Sequence, residues 1–202
     1  RLGFLTAFER EQTEEALSRL LAGELYEERR LLMTCATVGS EGATTEPVLF
    51  LNDVVLSRRS VSGMITLRAW RGDIEIATYR GDGLIIATAS GSTAYSMAAG
   101  GPVLAPNLDA VVLSPLASHT LSARPLVLPV GDGLEIEVVE TGSNRQASCQ
   151  IDGQIQVQIP RSGRAILRPT PNRFRHLTPG PTHFFTVLHA KFGFADLPTQ
   201  RP

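Results

Sequence analysis

Lysine is almost missing from this chain. Its 202 residues include one, Lys191, and apart from four histidines every other basic side chain is arginine. A Walker-type phosphate loop needs G-x-x-x-x-G-K-[ST], so that kind of nucleotide site is excluded. Net charge is also nearly absent, at −1. Nothing electrostatic therefore points to nucleic acid or a membrane surface as partner. Cysteine is scarce: Cys35 and Cys149 lie far apart and form no C-x-x-C pair, which reads as two buried thiols in a reducing compartment. No apolar run reaches membrane-spanning length and no signal peptide opens the chain, which reads as a cytoplasmic protein. His176, His183 and His189 form neither H-E-x-x-H nor H-x-H, so a metal site is not expected from this chain. Ser90-Gly91-Ser92 lacks the G-x-S-x-G frame and no S-x-x-K occurs, which disfavours serine hydrolase chemistry.

What is present reads mostly as β-structure. Residues 1–8 suggest an incoming strand, and Thr13 to about Tyr26 a helix with Thr13 as cap and Leu17, Leu20, Leu21 and Leu25 on one face. From Arg30 the texture changes to short, β-branched, turn-bounded segments: 31–38, 47–56, 65–71, 74–79, 84–88, 110–113, 126–128, 134–139, 148–151, 154–159 and 164–168. Ser40-Glu-Gly and Arg71-Gly-Asp are turn signals at hairpin spacing. Residues 170–183, rich in Pro and polar groups, read as a surface connection, and Phe184 to Phe192 as helix or strand. Many strands and few helices predict a mainly β, α+β domain of the antiparallel two-layer kind. Residues 1–202 are taken as one such domain, with 1–30 as the incoming strand and helix and 184–202 as a returning tail.

The most informative stretch is Arg80-Gly-Asp-Gly-Leu-Ile-Ile-Ala-Thr-Ala-Ser-Gly-Ser-Thr-Ala-Tyr-Ser-Met-Ala-Ala-Gly-Gly101. It predicts a turn, a buried strand, a small-residue loop and a helix opening. Ser92 or Thr93 is expected to cap that helix, whose N-terminus would favour an anion or a polar nucleotide group. Asn52 and Asp53 interrupt an apolar run, Val48-Leu-Phe-Leu and Val54-Val-Leu, and buried polar groups need partners. They read either as a strand-end turn or as a pair that recognises a polar ligand edge. An Asn side chain can donate and accept to adenine in a bidentate way. Gly-Asp-Gly occurs twice, at 81–83 and 131–133, and by spacing alone both aspartates are turn residues. His119, in Ser118-His-Thr120, is favoured as structural, since no acid or metal ligand stands at fixed spacing from it.

The 80–101 stretch resembles the NAD kinase signature RGDGLIVxTPTGSTAYxLSAGG, and 101–129 continues it, resembling GGPILxPxLxAxxLTPIxPHSLSxRPLVLP. Leu51-Asn-Asp53 resembles the family's LNE/D segment, and Arg1-Leu-Gly-Phe-Leu-Thr6 its N-L-G-F-L-T. Asp152-Gly-Gln154 and Phe184–Gly193 also fit, more loosely. The resemblance implies the β-rich carboxy-terminal domain of an NAD kinase. It implies that Asn52 and Asp53 contact the adenosine of NAD, and that Ser90, Thr93, Ala94 and Tyr95 line the dinucleotide. Asp82 would reach the nicotinamide ribose side, often from a neighbouring subunit; the Ala117 carbonyl would meet the substrate amide, and Asp152 would sit in the pocket. Two positions depart from the pattern: Ala98 stands where Ser is frequent, losing one hydrogen bond of about 1 kcal/mol, and Ala89 replaces a common Pro.

The family's GGDGT loop, whose Asp is held to activate the NAD hydroxyl, does not occur in this sequence. The resemblance therefore implies the second half of an enzyme, without a catalytic residue of its own and inactive alone. The whole enzyme would use ATP or polyphosphate, NAD and a divalent cation such as magnesium, and would form a homodimer or homotetramer through this domain. The alternatives are a non-catalytic NAD-binding or oligomerisation module and, less well matched, a lipid-kinase relative.

Overall fold

The computed structural model of the chain describes residues 4–39, 42–59, 63–118, 123–140 and 146–193. It divides into two compact units, Arg30–Phe174 and a smaller one formed by Arg1–Arg29 with Arg175–Pro202.

The larger unit is a pair of six-stranded sheets. Strands β1 (Tyr26–Val38), β2 (Val48–Phe50), β4 (Ile65–Arg71), β5 (Ile74–Gly81), β9 (Leu134–Glu140) and β12 (Arg164–Thr178) form sheet one, in the order β2-β1-β12-β9-β4-β5. Strands β3 (Asp53–Arg58), β6 (Gly83–Thr88), β7 (Ala110–Leu116), β8 (Leu126–Pro129), β10 (Gln146–Ile151) and β11 (Ile155–Pro160) form sheet two, in the order β11-β10-β3-β6-β7-β8. The chain is thus mainly β and two-layered, as the turn-bounded segments predict.

Alternation along the strands builds the core. Leu31, Met33 and Cys35 of β1 and Leu67 and Ala69 of β4 cluster with Val54, Leu56, Leu84, Ile86 and Cys149 of sheet two. The intervening residues of β6 turn the other way. Ile85 and Ala87 join Val55, Val112, Ala89 and Leu104 in a second cluster, where residues 89–104 cover the outer face of sheet two. With both faces covered, all six residues of β6 are buried, which explains its uninterrupted apolar run.

Several crossings between the sheets are very short. Leu51 and Asn52 alone connect β2 to β3, and Asp82 alone connects β5 to β6. The Arg71-Gly-Asp signal is a two-residue hairpin between β4 and β5, with Gly72 at φ +56°.

The smaller unit departs from expectation in places. Phe4 and Leu5 form a turn, not a strand, with Phe4 packed 5.3 Å from the Phe184 ring. Helix α1 (Thr13–Leu21) ends before Gly23 at φ +72°, and Tyr26 already belongs to β1. Gln12 is the residue before the helix and makes no side-chain cap; the Thr13 hydroxyl donates to the Arg10 carbonyl. Leu17, Leu20 and Leu21 are exposed. The stretch read as a connection is strand to Thr178; β9 pairs only as far as Leu167, so Pro169 and Pro171 lie beyond that pairing, where their missing N–H costs β9 nothing. Residues His183–Phe192 form a helix, α3.

Candidate functional site

The Leu51–Asp53 corner is built by its backbone. Changing sheets within two residues takes three consecutive N–H groups out of the ladder, and each needs an acceptor. Asp152 supplies it. One carboxylate oxygen accepts from Leu51 at 2.8 Å, the other from Asn52 at 2.8 Å and Asp53 at 3.0 Å. The Asp152 N–H returns a bond to the Asp53 carbonyl at 2.9 Å. Asp152 reaches this position from the β10–β11 turn at φ +46°, a left-handed conformation that Asp tolerates better than most residues.

Thr88, at the end of β6, satisfies the carbonyls. Its N–H donates to Asn52 O at 2.9 Å and its hydroxyl to Leu51 O, while the same hydroxyl accepts from Gly91 N at 3.2 Å. Gly91 lies so close that a Cβ would stand 2.0 Å from the Asn52 carbonyl oxygen. The corner and the Thr88–Tyr95 loop are therefore one packed unit.

Two side chains are left over. The Asn52 amide is half-buried and the Asp53 carboxyl only 6% exposed, and neither has a hydrogen-bond partner among the described residues. Burial first, then the like charge of Asp152, push the Asp53 carboxyl up to about 6. The Ser90 hydroxyl in the adjoining loop is likewise buried without a partner.

The rest of the loop differs from the capping expectation. The Ser92 hydroxyl donates to Ala89 O at 2.7 Å and accepts from Leu104 N at 3.0 Å; the Thr93 hydroxyl donates to Ser90 O at 3.3 Å. Neither caps the following helix α2, which spans only Tyr95–Ala98 and has no side-chain cap. Four residues give little macrodipole, so the helix mouth is not an anion site of its own. The physical cause of the shortness lies at Gly101: its N–H bonds Ser96 O at 2.8 Å, and a Cβ there would meet the Ser96 hydroxyl at 2.4 Å and the Ser114 hydroxyl at 2.7 Å. The chain turns back to seat Gly101 on that hydrogen-bonded serine pair. Ala94 and Tyr95 are exposed, Tyr95 at 50%.

Asp82 and Ala117 lie elsewhere. Gly83 starts β6 and Thr88 ends it, so Asp82 stands about 20 Å along the strand from Thr88. The Arg58 guanidinium donates to the Asp82 carboxylate at 2.7 Å, and the Asp82 N–H to Leu116 O at 2.9 Å. Gly81 and Gly83 are required here, since a Cβ would lie 2.6 Å from Leu116 O and 2.3 Å from Leu56 O respectively. Ala117 follows β7 at φ +44°, exposed. A depression of about 320 Å³ lies near this end, lined by Ala99, Gly100, Pro115, Ser118 and Arg124 among others. Asn52 and Asp53 do not line it.

The structure thus brings Asn52, Asp53, Ser90, Thr93 and Asp152 together and leaves Asp82 and Ala117 at the other end of sheet two. His119 lies outside the described residues. Asp132 is in the turn between β8 and β9, flanked by Gly131 at φ +50° and Gly133 at φ +100°. Cys35 and Cys149 are buried free thiols; hydrogen bonding with Cys35, then burial, raises the Cys149 thiol above its ordinary value. No group of three or more His, Cys, Asp or Glu among the described residues is arranged to hold a metal. Sequence reasoning missed Thr88, Gly91 and Arg58. Thr88 had a weak signal, as the polar end of a buried strand; Arg58 had none, being 24 residues from its partner.

Residues 51–178 match the family described as the ATP-NAD kinase C-terminal domain. The NAD kinase of Variovorax paradoxus is 41% identical over 191 residues, 95% of this chain and 62% of its own length. That of Delftia acidovorans is 39% identical over 196 residues, 97% of this chain and 64% of its own. The chain therefore spans less than two thirds of these relatives. Among solved structures, an NAD kinase from Archaeoglobus fulgidus in complex with ATP superposes with a TM-score of 0.74 at 27% identity, over 93% of this chain and 69% of that one. Yeast NADH kinase complexed with NADH gives 0.93 at 19% identity, over 100% of this chain and 60% of that one, a likeness of fold.

Proposed function

This chain belongs to the NAD kinase family, and from that premise we propose that it supplies the NAD-binding half of an enzyme that transfers the terminal phosphoryl group of ATP, or of polyphosphate, to the adenosine ribose 2′-hydroxyl of NAD. The observation that carries the reading is the Leu51–Asp53 corner. Its backbone groups are bonded by Asp152 and Thr88, while the Asn52 amide and the Asp53 carboxyl have no partner among the described residues. Partly buried polar groups left free in a rigid frame suit a ligand that brings their partners with it.

In this reading Asn52 and Asp53 hold the adenosine: the amide donates and accepts at a base or ribose edge, and the carboxylate accepts from a ribose hydroxyl. Ser90, Thr93, Ala94 and Tyr95 follow along the dinucleotide, with the exposed Tyr95 ring offering an apolar face and a phenolic OH. Asp82 and Ala117, at the far end of sheet two, serve the nicotinamide side of a site completed by a second copy, in a homodimer or homotetramer. Phosphoryl transfer is largely positioning and charge stabilisation, and this chain does the positioning. The base, the donor phosphates and the divalent cation belong to the rest of the enzyme. The described residues offer no metal-holding cluster, so no step is assigned to a cation here.

The test is calorimetric titration of NAD into the full-length protein, with NADP formation followed in parallel. Binding and turnover by the parent, with both reduced in Asn52→Ala, are expected. Binding without turnover would make the protein a non-catalytic NAD module, and Asn52→Ala binding like the parent would sink the assignment of the site. The chain of 202 residues alone is expected to yield no NADP.

A further inference from the structure

The family resemblance puts Asp152 in the pocket and, though its signature includes Thr88, gives that residue no role. The geometry points to a different division of labour. We propose that Asp152 and Thr88 are positioning residues: they clamp the Leu51–Asp53 backbone from its two sides and so aim the Asn52 amide and the Asp53 carboxyl, without themselves contacting the nucleotide. The proposal rests on the reading of Asn52 and Asp53 as ligand contacts.

The backbone accounting is complete. The three N–H groups of Leu51, Asn52 and Asp53 all donate to the Asp152 carboxylate, at 2.8, 2.8 and 3.0 Å. The carbonyls of Leu51 and Asn52 accept from the Thr88 hydroxyl and N–H, and that of Asp53 from the Asp152 N–H. Six polar groups in three residues are held by two side chains and their own N–H groups. A two-residue sheet crossing has no ladder to fix it, so without these bonds its backbone would sample several conformations, and its side chains would point accordingly. Asp152 is suited to the task because its two oxygens present several lone pairs to a convergent set of donors. Thr88 is fully buried, and its hydroxyl also takes the Gly91 N–H, so the same residue ties the corner to the Ser90–Tyr95 loop. A carboxylate already accepting three backbone bonds, and a hydroxyl with no exposed surface, are poorly placed to meet a ligand directly.

Asp152→Asn isolates the carboxylate. Asn tolerates the left-handed backbone at φ +46° as well as Asp does, but its NH₂ cannot accept the N–H groups that one carboxylate oxygen now takes. Thr88→Val removes the hydroxyl at nearly constant shape. Amide hydrogen exchange in the full-length, NAD-free protein is the first readout. Both variants should exchange faster over residues 51–53, by about tenfold or more, with residues 84–87 as protected as in the parent. Asn52→Ala should leave exchange at 51–53 unchanged. NAD titration is the second readout: Asp152→Asn should weaken binding about tenfold in the parent and clearly less in an Asn52→Ala background. Unchanged exchange in Asp152→Asn overturns the clamp. A fully additive loss in the double variant overturns the indirect role, since it means Asp152 touches NAD on its own account. Should the parent not bind NAD at all, the proposed function fails, while the exchange comparison still decides whether the clamp exists. Asp152→Gly, which keeps the left-handed backbone and deletes the carboxylate, guards against an effect peculiar to the amide.

Discussion

Two short corners among the described residues, β2–β3 and β5–β6, carry the chain from sheet one to sheet two, and they are finished in opposite ways. At Leu51–Asn52 the backbone is bonded by Asp152 and Thr88 while the Asn52 and Asp53 side chains have no partner among the described residues. At Asp82 two glycines allow the backbones to touch, and the side chain is already occupied by Arg58 in a half-exposed ion pair. Both corners hold an aspartate beside small or polar neighbours. One keeps its carboxyl buried, without a partner among the described residues and raised to about 6; the other is neutralised by Arg58. The lesson is that two aspartates in similar local sequence differ in what their surroundings leave undone, which the tripeptides that contain them do not record.

The largest expected break in this contrast is Gly91→Ala. A methyl placed 2.0 Å from the Asn52 carbonyl oxygen must displace the corner or the loop. We expect a destabilisation of about 3 kcal/mol or more, read as a lower midpoint in chemical denaturation. A variant as stable as the parent would mean that loop and corner are not one packed unit.

Asp53→Asn comes next, and its sign is the unusual one. The carboxyl rises from 3.8 to about 6 on folding, so the folded state binds the proton more tightly. Its contribution to stability is fully present below about pH 3.8 and is lost as pH rises through about 6. By linkage the loss is about 3 kcal/mol at most. Asp53→Asn should therefore raise the melting temperature at pH 7.5, flatten its decline between pH 4 and 7, and weaken NAD binding. A melting temperature lowered at pH 7.5 would show that Asp53 has a stabilising partner after all.

Asn52→Ala follows, with a loss of about 1–3 kcal/mol in NAD binding and a melting temperature nearly unchanged, since its amide bonds nothing among the described residues. The smallest effects belong to the other corner. Asp82→Asn should cost below about 1 kcal/mol of stability, because the Arg58 and Asp82 side chains are 26% and 44% exposed. Asp132→Asn, in the look-alike turn, should change neither stability nor binding. Damage from Asp132→Asn equal to that from Asn52→Ala would place the ligand at the wrong Gly-Asp-Gly altogether.

Much of this was legible in the chain. Alternation and turn residues located most strands to within a few positions, and the β4–β5 hairpin announced itself in Arg71-Gly-Asp; the segment read as 47–56 is two strands, β2 and β3, in different sheets, β1 starts at Tyr26 and β12 runs on to Thr178. Asn52 and Asp53 stood out because polar residues interrupt an apolar run. Failures occurred where long-range contacts override local preference. Residues 169–178 continue β12, which has β1 as its other neighbour and is free of β9 beyond Leu167, so Pro169 and Pro171 are tolerated there; the Ser92 hydroxyl is claimed by Ala89 and Leu104 and does not cap α2.

The sequence by itself determined that the chain is β-rich, that residues 80–101 hold a strand and a small-residue loop, and which polar residues were worth watching, because each of these is written in local periodicity and composition. Only the tertiary structure decided that Asp152 belongs to Asn52, from 100 residues away, that Thr88 closes the other side of the corner, and that Asp82 is already paired with Arg58. Local pattern records which groups must be buried. Which donor meets which acceptor is settled by how two sheets stack, and that depends on the whole chain at once.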